Sequence, residues 1–143
     1  MSRPISDLAL LLATLTPTRN AGVYVYCCVP FERDSHGLQE DLGLQPVVTV
    51  REQEGLTMVV EESQARRAGL TVLYRAAWIT LTVHSDLHAV GLTAAVATAL
   101  AEEGLSCNVV AGAHHDHLFV PVDSADRAMH ALRHLQEHAT TGG

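Results

Sequence analysis

The chain contains no lysine: its nine cationic side chains are all arginines. Chemistry that needs a lysine amine is thereby excluded, including a pyridoxal Schiff base and the phosphate-gripping lysine of a P-loop. Charge is scarce as well, at 17% of residues, where about a quarter is usual. The balance is negative, with a formal net of −7, and no basic run occurs. Such a chain is a poor partner for DNA, RNA or an anionic membrane. Cysteines number three, Cys27, Cys28 and Cys107, and form no C-x-x-C pair. An odd count without that pair gives neither a disulfide framework nor a zinc knuckle. Neighbours in a strand point to opposite faces, so Cys27 and Cys28 read as small packed hydrophobes, and Cys107 as a buried, inert mid-strand thiol. No apolar run approaches the roughly 18 residues of a membrane span. The opening Met1-Ser2-Arg3-Pro4 leads into Leu8–Leu12, too short and too acidic for a signal peptide, so a cytoplasmic location is expected. The G-x-S-x-G, G-x-G-x-x-G, Walker A and H-E-x-x-H motifs are all missing.

What remains is apolar enough to fold. Hydrophobic residues are 48% of 143, which suits one ordinary domain or two very small ones. The single tryptophan, Trp78, reads as a core or interface anchor.

Local patterns divide the chain. Ser6 can cap a helix with Asp7 in its first turn and Leu8, Leu11, Leu12 and Leu15 on one stripe, ended by Thr16-Pro17. Val23–Val29 is a β-rich run stopped by Pro30. Residues 31–45 are polar and read as an irregular loop. Val47–Arg51 and Leu56–Val60 flank Glu52–Gly55 as a hairpin. Glu61–Ala68 predicts a short helix closed by Gly69. Arg75–Val83 is a long strand, and Asp86–Glu103 a helix rich in Ala and Leu that stops at Gly104. Cys107–Ala111 and His117–Val122 are strands joined by a short polar turn at His114-His115-Asp116. Asp123 or Ser124 then caps a last helix through Leu135.

The second half thus spells β-α-β-β-α, the split βαβ or ferredoxin-like plan. The first half carries a weak copy of the same series. Leu8–Leu15, Val23–Val29, Gly55–Val60 and Ala65–Leu70 parallel Ala94–Leu100, Cys107–Ala111, His117–Val122 and Ala125–Leu132. Each copy runs helix, strand, strand, helix.

The residues of the second half also resemble a known family. The segment Thr82-Val83-His84-Ser85-Asp86-Leu87-His88-Ala89-Val90-Gly91-Leu92-Thr93, then Gly104-Leu105-Ser106-Cys107-Asn108-Val109-Val110, then His115-Asp116-His117-Leu118-Phe119-Val120 is similar to an ACT domain. More narrowly, the chain resembles small bacterial proteins built from two ACT-like units, with Arg51–Val60 fitting the first unit. The tandem regulatory pairs of aspartate kinases are the nearest comparison. The resemblance implies an α+β protein of two ferredoxin-like βαββαβ units, about 1–70 and 71–143. Their sheets would be mainly antiparallel, with helices on one face.

The resemblance also implies a non-catalytic regulatory protein that binds an amino acid or similar polar metabolite and needs no cofactor. Its cradle would be the loop after the first strand and the start of the following helix. There the family has a Ser, then a Gly followed by small or aliphatic residues, matched by Ser85 and Gly91-Leu92-Thr93-Ala94. The Asn that the family often places after Gly and an aliphatic is replaced by Ser106, and an Asn falls at 108. The ligand-binding set is therefore His84, Ser85, Asp86, Leu87, His88, Val90, Gly91, Leu92, Ser106 and Asn108. A homodimer and a regulated enzyme partner are implied with it.

The residues point the same way unaided. A zwitterion needs N–H donors for its carboxylate and acceptors for its ammonium. A helix N-terminus supplies the donors and Asp86 an acceptor. Ser85 and Asp86 are equally suited to plain N-capping, and the two roles can coexist. His84, His88, His114, His115 and His117 form a second candidate cluster, either the site of a divalent-metal protein or enzyme, or histidines exposed on a polar turn. A third alternative is a ligand-independent dimeric adaptor that pairs through exposed strand edges.

Overall fold

The computed structural model describes residues 7–30, 43–82 and 90–141. In chain order its elements are α1 (Leu8–Thr14), β1 (Thr16–Arg19), β2 (Tyr24–Val29), β3 (Val48–Glu52), β4 (Gly55–Glu61), α2 (Glu62–Arg67) and β5 (Tyr74–Thr82). Then follow α3 (Leu92–Glu102), β6 (Asn108–Ala111), β7 (Asp116–Pro121), a 3-10 turn (Val122–Ser124) and α4 (Ala125–Thr141). They form two compact units. One gathers the residues up to Asn20 with those from Ala77 onward, and the other is Ala21–Ala76. The sequence-order division at 70/71 and these units differ in two respects: α1 and β1 group with the C-terminal segment, and residues 71–76 group with Ala21–Leu70.

The reason lies in the leucine stripe of α1. Asp7 caps this helix, its carboxylate accepting from the Leu10 N–H at 3.0 Å. Leu11 and Leu15 are fully or almost fully buried. They share a core with Leu92, Val96 and Leu100 of α3, Leu132 of α4, and Ala77, Ile79 and Leu81 of β5. Those three β5 residues alternate, so one face of the strand meets the helices. The Gln136 side chain fastens α4 to α1 by donating to the Ala13 carbonyl at 2.8 Å. β1 pairs antiparallel with β5, Thr16 opposite Thr82 and Arg19 opposite Ile79. The sequence reading has no strand there, because Pro17 looked like a helix stop. A proline is nonetheless tolerated on a strand with one neighbour, where its missing N–H costs no ladder bond.

Beyond β5 this unit follows the predicted β-α-β-β-α order. β7 lies beside β5 and β6 beside β7. The β6–β7 pair is antiparallel, with Asn108 opposite Phe119 and Ala111 opposite Asp116. Helix α3 begins at Leu92, not at Asp86 as the Ala/Leu pattern suggested. Cys107 falls just before β6, half-buried, and burial pushes its thiol up to about 11.

The unit Ala21–Ala76 is built on the predicted hairpin. β3 and β4 pair antiparallel around Gln53-Glu54, β4 pairs with β2, and β2 pairs with the first residues of β5, Tyr24 opposite Ala76. Val25, Cys27 and Val29 alternate inward from β2 onto Met58, Val60 and Ala65. Cys28 points outward and is exposed, a correction to the reading of both thiols as packed. Among the described residues no helix is long and apolar enough to cross a membrane.

Candidate functional site

The five residues His84, Ser85, Asp86, Leu87 and His88 lie outside the described residues. The described part of the loop is its last step into α3. Val90 is 83% exposed and Leu92 is buried. Between them Gly91 takes the N-cap position at φ +101, with no side chain to cap the helix. A Cβ there would come within 3.0 Å of the Leu8 side chain. The Ala95 N–H makes the first helical bond, to the Gly91 carbonyl at 2.9 Å. The amides of Leu92, Thr93 and Ala94 precede the point where helical acceptors begin. The positive end of α3 is thus presented through backbone N–H groups, beside an exposed Val90 and an exposed Thr93.

Ser106 and Asn108 stand elsewhere. Both are exposed, and both follow the C-terminal end of α3. An 11-residue helix is about 16 Å long, so within one chain these two residues and Gly91 are at opposite ends of it.

The histidine turn is less exposed than the sequence suggested. His114 is exposed, but His115 and His117 are half-buried and Asp116 is only 8% exposed. His117 belongs to a network the sequence reading missed. The Trp78 indole N–H donates to His117 Nδ1 at 3.0 Å. Thr80 Oγ1 lies 3.3 Å from the same nitrogen. Asn20 Nδ2 donates to Thr80 Oγ1 at 3.0 Å and to the Trp78 carbonyl at 3.2 Å. With Nδ1 as the acceptor of the indole proton, a neutral ring carries its own proton on Nε2. Burial, then the neighbouring His115, hold His117 below the ordinary imidazole value, against the opposing pull of Asp116. Burial also raises the Asp116 carboxyl, against the two flanking histidines. His115 Nδ1 is buried without a hydrogen-bond partner among the described residues. These pairings span residues 58 to 60 apart for Asn20 and 39 apart for Trp78 and His117, so no local motif announces them. Among the described residues no three His, Cys, Asp or Glu side chains are grouped to hold a metal.

Two family models match the chain in tandem, each of the ACT domain, over residues 3–77 and 74–134. The chain belongs to the ACT domain family. The two ACT segments meet in the first half of β5, and together they account for the α+β, ferredoxin-like character of the fold. A Vibrio cholerae protein of unknown function, described as a possible transport protein, is 47% identical over 90% of this chain and 95% of its own, with a TM-score of 0.78. The ligand-free regulatory subunit of Thermus thermophilus aspartate kinase shares the ACT fold at 11% identity, over 87% of this chain and 98% of its own, with a TM-score of 0.60. Escherichia coli aspartokinase III, in complex with aspartate and ADP, aligns at 14% identity over 87% of this chain and 33% of its own, with a TM-score of 0.62. No functionally curated protein matches the chain.

Proposed function

We propose that this tandem ACT protein is a cytoplasmic sensor that binds an amino acid or similar small polar metabolite without chemistry, and acts as a homodimer on a regulated partner. The observation that carries the proposal is the entry to α3. A left-handed Gly91 leads into a helix whose first amides have no capping side chain among the described residues, in the segment where ACT domains are expected to hold a ligand. A ligand carboxylate is the chemistry those N–H groups suit. Ser85 and Asp86, just upstream, supply further polar groups for the ammonium. The three free thiols suit a reducing compartment.

A thermal-shift screen of the twenty amino acids tests this. A ligand present at about 100 times its Kd adds about 2.7 kcal/mol of stability, a shift of several degrees. Thr93→Glu is the informative variant. A carboxylate in the first turn is favourable for the helix but repels an incoming carboxylate. The variant is expected to fold normally and lose the ligand-induced shift. No shift with any amino acid would count against the sensor. A second reading, the ligand-independent adaptor, draws on the exposure of Ser106 and Asn108 at the far end of α3. A dimer whose light-scattering mass ignores every metabolite tested would favour it.

A further inference from the structure

Three histidines of α4 belong to neither candidate cluster. His130, His134 and His138 are four apart and project from one side of the helix. All three are exposed. They border a groove of about 460 Å³ between α3 and α4. Its floor includes Ala99 and Ala131, whose small side chains leave the space open. Glu102 and Glu103, at the end of α3, form the opposite rim. Arg127 reaches the same helix end and donates to the Glu103 carbonyl, but does not line the groove.

His134 and His138 are already brought together. Their ring centroids are 4.1 Å apart with the planes inclined at 53°. Two imidazoles at this separation on one helix face can each turn a nitrogen toward a common ion. Imidazole favours zinc, nickel and copper over magnesium or calcium, whose preferred ligands are oxygens. The carboxylates of Glu102 and Glu103 and the negative end of α3 surround the groove with a field that attracts a cation. With no third side chain among the described residues grouped closely enough to complete a closed cage, water fills the remaining positions of an open site.

We propose that His134 and His138 bind one divalent transition-metal ion of the imidazole-preferring class in this groove. The ion clips together the last turns of α4 and stabilises that end of the helix. Calorimetric titration of the full chain with zinc chloride tests it, alongside His134→Asn and His138→Asn. Both side chains are exposed, so the variants should keep the wild-type circular dichroism. The expected result is saturable zinc binding that includes one ion lost, or weakened at least about tenfold, in either variant. Zinc should also raise the melting temperature of the wild type more than that of either variant. His115→Asn should leave this ion in place. The proposal is overturned if the wild type shows no saturable binding, or if both α4 variants bind zinc as the wild type does.

Discussion

Gly55 sits at φ +150, where a Cβ would stand 2.4 Å from the Val29 carbonyl oxygen and 3.1 Å from its carbon. The obstacle is backbone, which cannot swing aside as a side chain can. Gly55→Ala is expected to lower stability by about 3 kcal/mol, from strain and overpacking together, read as a fall in the urea midpoint. His117 gives a second prediction at this scale. Its folded-state pKa lies below the ordinary 6.5, so in that interval the unfolded chain binds more protons than the folded one. Stability therefore rises with pH there, and is lost as pH falls from about 7 through the imidazole range. The raised Asp116 carboxyl acts with the opposite sign, starting from its ordinary 3.8. His117→Gln keeps an acceptor for the Trp78 indole but cannot titrate. Its urea midpoint should fall less than that of the wild type between pH 7 and pH 5. Equal falls would show that His117 contributes nothing to the slope.

Elements were more legible than their boundaries. Local patterns found α1, β2, the β3–β4 hairpin, α2, β5, β6, β7 and α4, because each is bounded by its own Pro, Gly or cap and carries a clear 2- or 3.6-residue period. Helix α3 was extended upstream because Ala, Leu and Val continue the helical composition past Gly91. The positive φ of Gly91 is a backbone fact that composition does not carry. β1 was missed because its four residues pair with β5 sixty or more positions away. The leucine stripe of α1 announced a buried face but not the core it would enter. Leu11 is fully buried against the residues of α3, α4 and β5. Leu11→Ala should cost about 3 kcal/mol in chemical denaturation. A loss below about 1 kcal/mol would mean that α1 is only loosely attached.

The whole molecule uses its repeat in an interleaved way. Two ACT segments follow one another in sequence, at 3–77 and 74–134, yet α1 of the first segment packs into the core that holds the helices of the second, and β1 pairs with β5. Small units of this size have little surface to bury alone, and the leucines of α1 enlarge one core. The chemistry of the candidate site was legible only as residue types. Gly91 and the amides behind it are a backbone feature, and the Trp78–His117 network depends on long-range pairing. The absent lysines fit a chain that binds through amides and imidazoles. The histidine excess, otherwise unaccounted for, finds one use in the pair on α4.

The central claim is that a small zwitterion docks on the amino end of α3. Titrating the ¹⁵N-labelled full chain with the amino acid that gives the largest thermal shift tests it most directly. The account predicts that the amide signals of Leu92, Thr93 and Ala94 move most among the described residues, saturate together, and stay still in Thr93→Glu. Saturating shifts that leave these three amides unmoved would contradict it.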